Sequence, residues 1–239
     1  HRDKRASMAG SENGVLNVTH WDGRRVLVTG AGGFIGSHLC EALVAAGATV
    51  RGLFHYGAAG DLGNLELAVP ALRNAVEPVF GDLADTEALA AATEGIDVVF
   101  HLAALVGIPY SYKAPRDVIE TNVVGTLNVL MAARAVGVNR LIHTSTSEVY
   151  GTARFVPMPE THPLQAQSPY AASKIGADQL ALSFHRSFGA PVSVVRPFNT
   201  YGPRQSTRAI VPTVIAQALA GDRIRLGATA PTRDFNFVT

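Results

Sequence analysis

The chain has 239 residues, room for one large domain or one domain and part of a second, and its 47% hydrophobic against 16% charged residues exclude a disordered or collagen-like chain. Lys plus Arg (20) against Asp plus Glu (19) leave a formal charge of +1, with no basic stripe for nucleic acid and no polybasic run for an anionic membrane. The one cysteine, Cys40, cannot form an intrachain disulfide, so a cytoplasmic location is expected.

Residues 1–23 read as a polar, tag-like or disordered lead-in that runs into no apolar h-region, so a secretory signal is not expected. A β-branched run at 25–29 (RVLVT) then stops at a glycine cluster, 30–36. Apolar residues at helical spacing (Leu39, Leu43, Val44) predict a helix over 37–46, closed by Gly47. Strands are predicted at 48–54 and 75–80, a helix at 86–93 and a strand at 97–102. A long helix follows at 117–135. The apolar stretch 123–138 within this region is broken by Gly125, Asn128, Arg134 and Gly137, which makes it a buried helix rather than a membrane span. A strand at 140–144, a helix at 170–187 and a strand at 192–196 continue the alternation. Inner strands that are nearly continuous apolar runs suit a parallel sheet covered on both faces. The fold class is therefore α/β, a doubly wound parallel sheet.

Beyond 196 the pattern loosens into FNTYGPRQ, a helix at 210–219, a short strand at 223–226 and an apolar tail that reads as stopping mid-strand. The expected division is a dinucleotide-binding domain over 24–197 and the incomplete start of a small C-terminal substrate region over 198–239.

Gly30, Gly33 and Gly36 in TGAGGFIG stand between the first strand and its helix. That is where a tight turn, close backbone approach to a pyrophosphate and a helix N-terminus aimed at negative charge are all required. An Asp or Glu is expected at the end of the second strand to hold the ribose of NAD. This chain has Phe54 there, followed by His55 and Tyr56, so Arg51 or His55 could meet the 2′-phosphate of NADP, and both cofactors stay open. Asp82 is placed to accept from the adenine amino group, to cap a helix N-terminus, or both.

Tyr170 and Lys174, in SPYAASK, lie four apart on a helix and share a face. The expected consequence is an ammonium that lowers the phenol's pKa and makes it a usable proton acceptor. The strand ending HTSTSEVYG brings Thr146, a donor to a sugar hydroxyl, and Glu148, a carboxylate base, to the carboxyl edge of the sheet. Ser145 lacks the GxSxG elbow of a triad nucleophile. His38, His101, His143 and His185 have no metal-ligand spacing and are expected to be core histidines. No metal is expected.

TGAGGFIG, HLAA (101–104), TSEVYG, YAASK, RPFNTYGPR and TRDF, in this order, resemble the extended short-chain dehydrogenase/reductase superfamily of nucleotide-sugar epimerases and dehydratases, with its Rossmann fold. LFHYGAAGDLGNLE, IPYSY and the segment from 143 to 184 look most like bacterial nucleotide-sugar 4,6-dehydratases of the legionaminic-acid type, which act on nucleotide-linked N-acetylglucosamine. The resemblance implies a nicotinamide cofactor touching Gly30, Gly33, Phe34, Ile35, Gly36, His55, Asp82, Leu83, Leu102, Ala103, Ala104, Asn122, Tyr170 and Lys174. It implies C4 oxidation with Tyr170 as base and Lys174 on the nicotinamide ribose, C5 deprotonation by Glu148 with loss of water from C6, and hydride return. Thr146, Ser147, Asn199 and Arg233 are the implied substrate contacts. Many hexose 4,6-dehydratases carry Asp at the position of Ser147, so here Glu148 would serve as base and acid.

TSEVYG also occurs in nucleotide-glucuronate decarboxylases and 4-epimerases, which remain the alternative. A dinucleotide-binding sensor without catalysis is a third reading, against which the presence of both Tyr170 and Lys174 weighs. Family members also suggest a homodimer built through the helices at 117–135 and 170–187.

Overall fold

The computed structural model describes residues 21–57, 60–221, 223–227, 229–230 and 232–239; most of the expected lead-in, residues 1–20, lies outside the described residues. Six parallel strands form the main sheet: β1 (Arg25–Thr29), β2 (Thr49–His55), β3 (Val76–Gly81), β4 (Val98–His101), β5 (Arg140–Thr144) and β6 (Val192–Val195), in the order β3-β2-β1-β4-β5-β6. That order reverses direction between β1 and β4, which opens a crevice at their carboxyl ends, the usual ligand position in a doubly wound sheet. One core cluster, including Val26, Val28 and Cys40, and a second, including Leu27, Val99 and Leu141, take the β1 residues alternately. This is what a strand with period two does when both of its faces are buried.

The first helix, α1 (Phe34–Ala45), begins three residues before the expected start. Its first turn lies inside the glycine stretch, because Gly36 packs on the loop so closely that a Cβ would come within 2.1 Å of the Gly30 carbonyl oxygen. A short helix, α2 (Pro70–Asn74), precedes β3, and α3 (Thr86–Thr93) follows it. Two more helices, α4 (Ile108–Lys113) and α5 (Pro115–Ile119), lead through a π-helical turn at Glu120–Val124 into α6 (Gly125–Val136). The expected helix at 117–135 is thus a longer run with a bulge in it, and bulges of this kind mark functional positions. The longest helix, α7 (Pro169–Phe188), starts where Ser168 Oγ accepts from Ala171 N and Pro169 needs no partner, and it ends at Gly189 in the left-handed region.

Past β6 the chain forms β7 (Asn199–Tyr201), α8 (Ile210–Ala220) and β8 (Phe235–Phe237), with β7 and β8 paired in parallel. The strand expected at 223–226 is absent. The Gln217 side chain instead takes the Arg225 N–H at 2.8 Å and donates to its carbonyl at 3.1 Å, supplying the hydrogen bonds a neighbouring strand would give. Between β7 and α8, Arg204 adopts φ 70°, and its guanidinium meets the Glu41 carboxylate, Ser37 Oγ and the Leu67 carbonyl. His38 Nε2 donates to the neighbouring Pro203 carbonyl at 3.0 Å. This turn is thereby latched onto α1.

Candidate active site

At the β1 end of the crevice the glycine loop is as tight as the sequence suggests. Gly30 has φ 72°, and a Cβ there would lie 2.8 Å from Ala103 N, so β1's loop and the Leu102–Ala103 backbone touch. Thr29 Oγ1 reinforces that contact by accepting from Leu102 N (3.2 Å) and Ala103 N (3.1 Å). Its own hydroxyl donates to His101 Nδ1 at 2.8 Å, which leaves Nε2–H to donate to Thr126 Oγ1 at 3.0 Å. The start of α1 has Gly33 as N-cap with no side-chain cap bond and no acidic residue in the first turn. Free amides at Phe34 and Ile35, a glycine cradle that a Cβ would fill and the absence of a repelling carboxylate fit a dinucleotide pyrophosphate.

The end of β2 differs from expectation in one respect. Arg51 is spent elsewhere: its guanidinium bonds Glu77 (3.0 Å) and the Ala92 and Glu94 carbonyls (3.0 and 3.1 Å) at the C-terminus of α3, where a cation opposes the helix dipole. Phe54 is buried under the glycine loop against Phe80. His55 points to solvent and pairs with Asp82, Nε2 to Oδ2 3.1 Å. Asp82 is not a helix cap, since its Oδ1 accepts from Ala84 N at 2.8 Å in a local turn. The cap of α3 is Asp85, which accepts from Glu87 N and Ala88 N.

Asn122, on the π-helical turn, uses its whole side-chain amide inside the protein. It accepts from Leu105 N (2.8 Å) and donates to the Leu105 carbonyl (3.1 Å) and Ser173 Oγ (2.9 Å). It fixes the loop after β4 against α7, so any service to a cofactor passes through Leu102–Ala104. Asn128 donates to the carbonyl of Leu83, another expected cofactor contact, at 2.8 Å.

At the centre of the crevice α7 delivers Tyr170 and Lys174, both buried. The segment after β5 folds into a 3-10 turn at Ser147–Tyr150 with Thr146 as N-cap, which presents Thr146, Ser147 and Glu148, all half-buried, beside the phenol. The expected lowering of the phenol by Lys174 is not found. Burial pushes Tyr170 above its ordinary value, a hydrogen bond from Thr146 works against that rise, and the charges of Glu148 and Asp178 add to it. Lys174 turns to the Thr144 carbonyl at 2.8 Å, and burial pushes it down to about 8 while Asp178 opposes the fall.

Asn199 and Arg233 come from β7 and the segment just before β8. The strand pairing sets them near one another, with Asn199 N donating to the Asp234 carbonyl at 3.2 Å; Arg233 is exposed and among the described residues reaches only the Thr232 carbonyl. Of the four histidines expected in the core, His101 and His143 are there, whereas His185 is exposed and His38 half-buried. Both of the latter sit on helix surfaces where their rings bond backbone carbonyls. Among the described residues no group of three or more His, Cys, Asp or Glu could hold a metal ion, and no helix is long and apolar enough to cross a membrane.

The crevice thus has the glycine cradle, the YxxxK pair and the TSE segment side by side. The family model for GDP-mannose 4,6-dehydratase matches residues 27–239. The chain belongs to this family. With it, the chain is a member of the extended short-chain dehydrogenase/reductase superfamily. It is 42% identical over 210 residues to a dTDP-glucose 4,6-dehydratase of Streptomyces antibioticus, covering 84% of this chain and 61% of that one.

Among solved structures, the dTDP-glucose 4,6-dehydratase DesIV of Streptomyces venezuelae, with NAD and TYD bound, superposes with a TM-score of 0.81 at 34% identity, covering 90% of this chain and 68% of that one. A UDP-glucuronic acid 4-epimerase of Bacillus cereus, with UDP-glucuronic acid and NAD, gives 0.81 at 32%, covering 90% and 69%. The chain spans 61% to 64% of the length of the first curated dehydratases it matches.

Missing from the sequence reading were Thr29, Asp178, Arg196 and the Arg204–Glu41 latch. Asp178 was within reach of it, since it follows Lys174 at the same four-residue spacing by which Lys174 follows Tyr170. Arg204 carried no local signal, its partner being 163 residues away.

Proposed function

We propose that this chain carries out nucleotide-sugar 4,6-dehydration with NAD, residues 24–197 holding the cofactor and 198–239 beginning the substrate side. The observation that carries the reading is the meeting of Tyr170, from α7, with Thr146 and Glu148, from the 3-10 turn after β5, in one crevice. When bound, the nicotinamide supplies the acceptor and later the donor of one hydride. Tyr170 takes the proton of the sugar 4-hydroxyl, and the Thr146 hydroxyl orients that oxygen. The resulting ketone acidifies C5–H, whose proton Glu148 removes and passes to the departing 6-hydroxyl, so that one water is lost. Lys174, held by the Thr144 carbonyl, serves the nicotinamide ribose. Asn199 and Arg233 serve the substrate diphosphate, a guanidinium fork suiting its oxygens.

NAD rather than NADP is favoured by the two basic side chains at β2. Arg51 is committed to α3, and His55 is paired with the Asp82 carboxylate, which would repel a 2′-phosphate. A homodimer through α5, α6 and α7 is part of the same reading, supported by the exposed Ile119, Val124, Met131 and Phe188 and checked by sedimentation.

The nucleotide sugar is the finer part of the proposal. The legionaminic-acid-type segments favour UDP-N-acetylglucosamine, and the curated dehydratases favour dTDP-glucose. Incubating the chain and NAD with each of these and with UDP-glucuronate, followed by mass spectrometry, tests the reading. Loss of one water without accumulation of NADH is the expected result. Release of carbon dioxide from UDP-glucuronate, with no dehydrated product from the others, replaces it by decarboxylation.

A further inference from the structure

The proposed chemistry leaves unused a set of charges buried behind Tyr170 and Lys174. Asp178 lies one turn beyond Lys174 on the same face of α7 and is fully buried. Arg196, just after β6, gives Nε to Asp178 Oδ2 at 3.0 Å and its second nitrogen to Tyr150 Oη at 3.0 Å, with the guanidinium over the Tyr150 ring. His143 Nε2 approaches Asp178 Oδ1 at 3.3 Å, but without hydrogen-bond alignment, so the two are close neighbours and not a bonded pair. The buried Ser145 hydroxyl faces the same carboxylate.

These partners have a pattern. His143 and Ser145 flank Thr144, whose carbonyl holds the Lys174 ammonium, and Tyr150 ends the 3-10 turn that carries Ser147 and Glu148. One carboxylate therefore ties the YxxxK helix to both segments that must stand opposite it. Burial pushes Asp178 up, but His143, Ser145 and Arg196 hold it below the ordinary carboxylate range, so it stays an anion beside the half-buried Arg196.

We propose that Asp178 is a positioning residue for the Tyr170–Lys174 pair, its buried carboxylate clamping the ends of β5 and β6 against α7 around the Lys174 side chain. This rests on the dehydration reading only for its purpose; the clamp itself belongs to the fold. The ionisable groups around it are His101 from β4 and His143 from β5, both kept neutral by burial, together with Glu148, Tyr150, Tyr170 and Arg196. On the other elements packed against α7, Tyr110 bonds Asp117 and Arg116 pairs with Glu120 at the surface, while Arg134 lies over Phe188.

The chain has only Lys4, Lys113 and Lys174, so 13Cε-lysine labelling gives three resonances, and the one lost in Lys174→Arg reports Lys174 directly. Its midpoint is expected near 8. Asp178→Asn should lower it by about one pH unit or more, a tenfold change in acidity. Asp178→Glu, which keeps the charge, should leave it in place, as should Asp85→Ala, which weakens α3 without touching the clamp. An unmoved or raised midpoint in Asp178→Asn, or an equal fall in Asp85→Ala, overturns the proposal. Should Asp178→Asn fail to fold, a fall in Asp178→Glu overturns it equally. None of these readouts needs a substrate, so failure of the dehydration assay and failure of the clamp are told apart.

Discussion

Lys174 should make the protein less stable near neutral pH than it would be without that charge, and the size of the effect follows from its burial. The folded lysine gives up its proton near 8, against 10.5 for the ordinary group. Between those values the unfolded chain holds the extra proton, so the folded state gains stability as pH rises. Each pH unit is worth about 1.4 kcal/mol, and the wild type should therefore gain about 3 kcal/mol on Lys174→Met by the top of that range. At pH 7 the variant should be the more stable, by less than this figure, because the Thr144 carbonyl it orphans costs about 1 to 3 kcal/mol. Urea unfolding of both proteins at several pH values measures the difference directly. A difference that stays flat from pH 7 to 10.5 refutes the argument, since a lysine in contact with solvent would behave in that way.

Tyr170→Phe should lower turnover by about 10²- to 10⁴-fold while leaving NAD affinity within a factor of a few, measured by titration calorimetry. Gly36→Ala, whose new Cβ would meet the Gly30 carbonyl at 2.1 Å, should abolish NAD binding. Gly57→Ala, with nothing within 4 Å, should leave binding unchanged. Asp85→Ala removes the cap of α3 and should cost about 1 kcal/mol in chemical denaturation. His101 and His143 are buried and neutral, held below their ordinary 6.5 chiefly by desolvation. Their contribution is complete above that value and is lost as pH falls from it towards their folded values; equal urea midpoints at pH 7.5 and 5.5 would contradict this.

The six main strands could be read from the sequence because each is an apolar run bounded by glycine, asparagine or a helix signal, and the YxxxK pair because four residues is one turn. Less was legible where partners are distant in the chain or lie on side chains. The strand expected at 223–226 has the right composition, but one glutamine side chain satisfies the Arg225 backbone and removes the need for pairing. The phenol's environment was misread for a related reason: sequence spacing shows that a cation is near Tyr170, but not that both groups are buried or that the ammonium faces the Thr144 carbonyl. Asp178 looked like one more polar residue on a long helix until β5 and β6 were set against it.

The Arg204 latch bears on how the molecule is assembled. Glu41 and Ser37 emerge from the ribosome early, yet the arginine that neutralises Glu41 follows more than 160 positions later. Contacts of such long sequence separation are costly to close and slow to form. The outer side of α1 is therefore completed only after β6 and the turn beyond it have been synthesised, and the half of the fold that carries the glycine loop waits on the half that follows it.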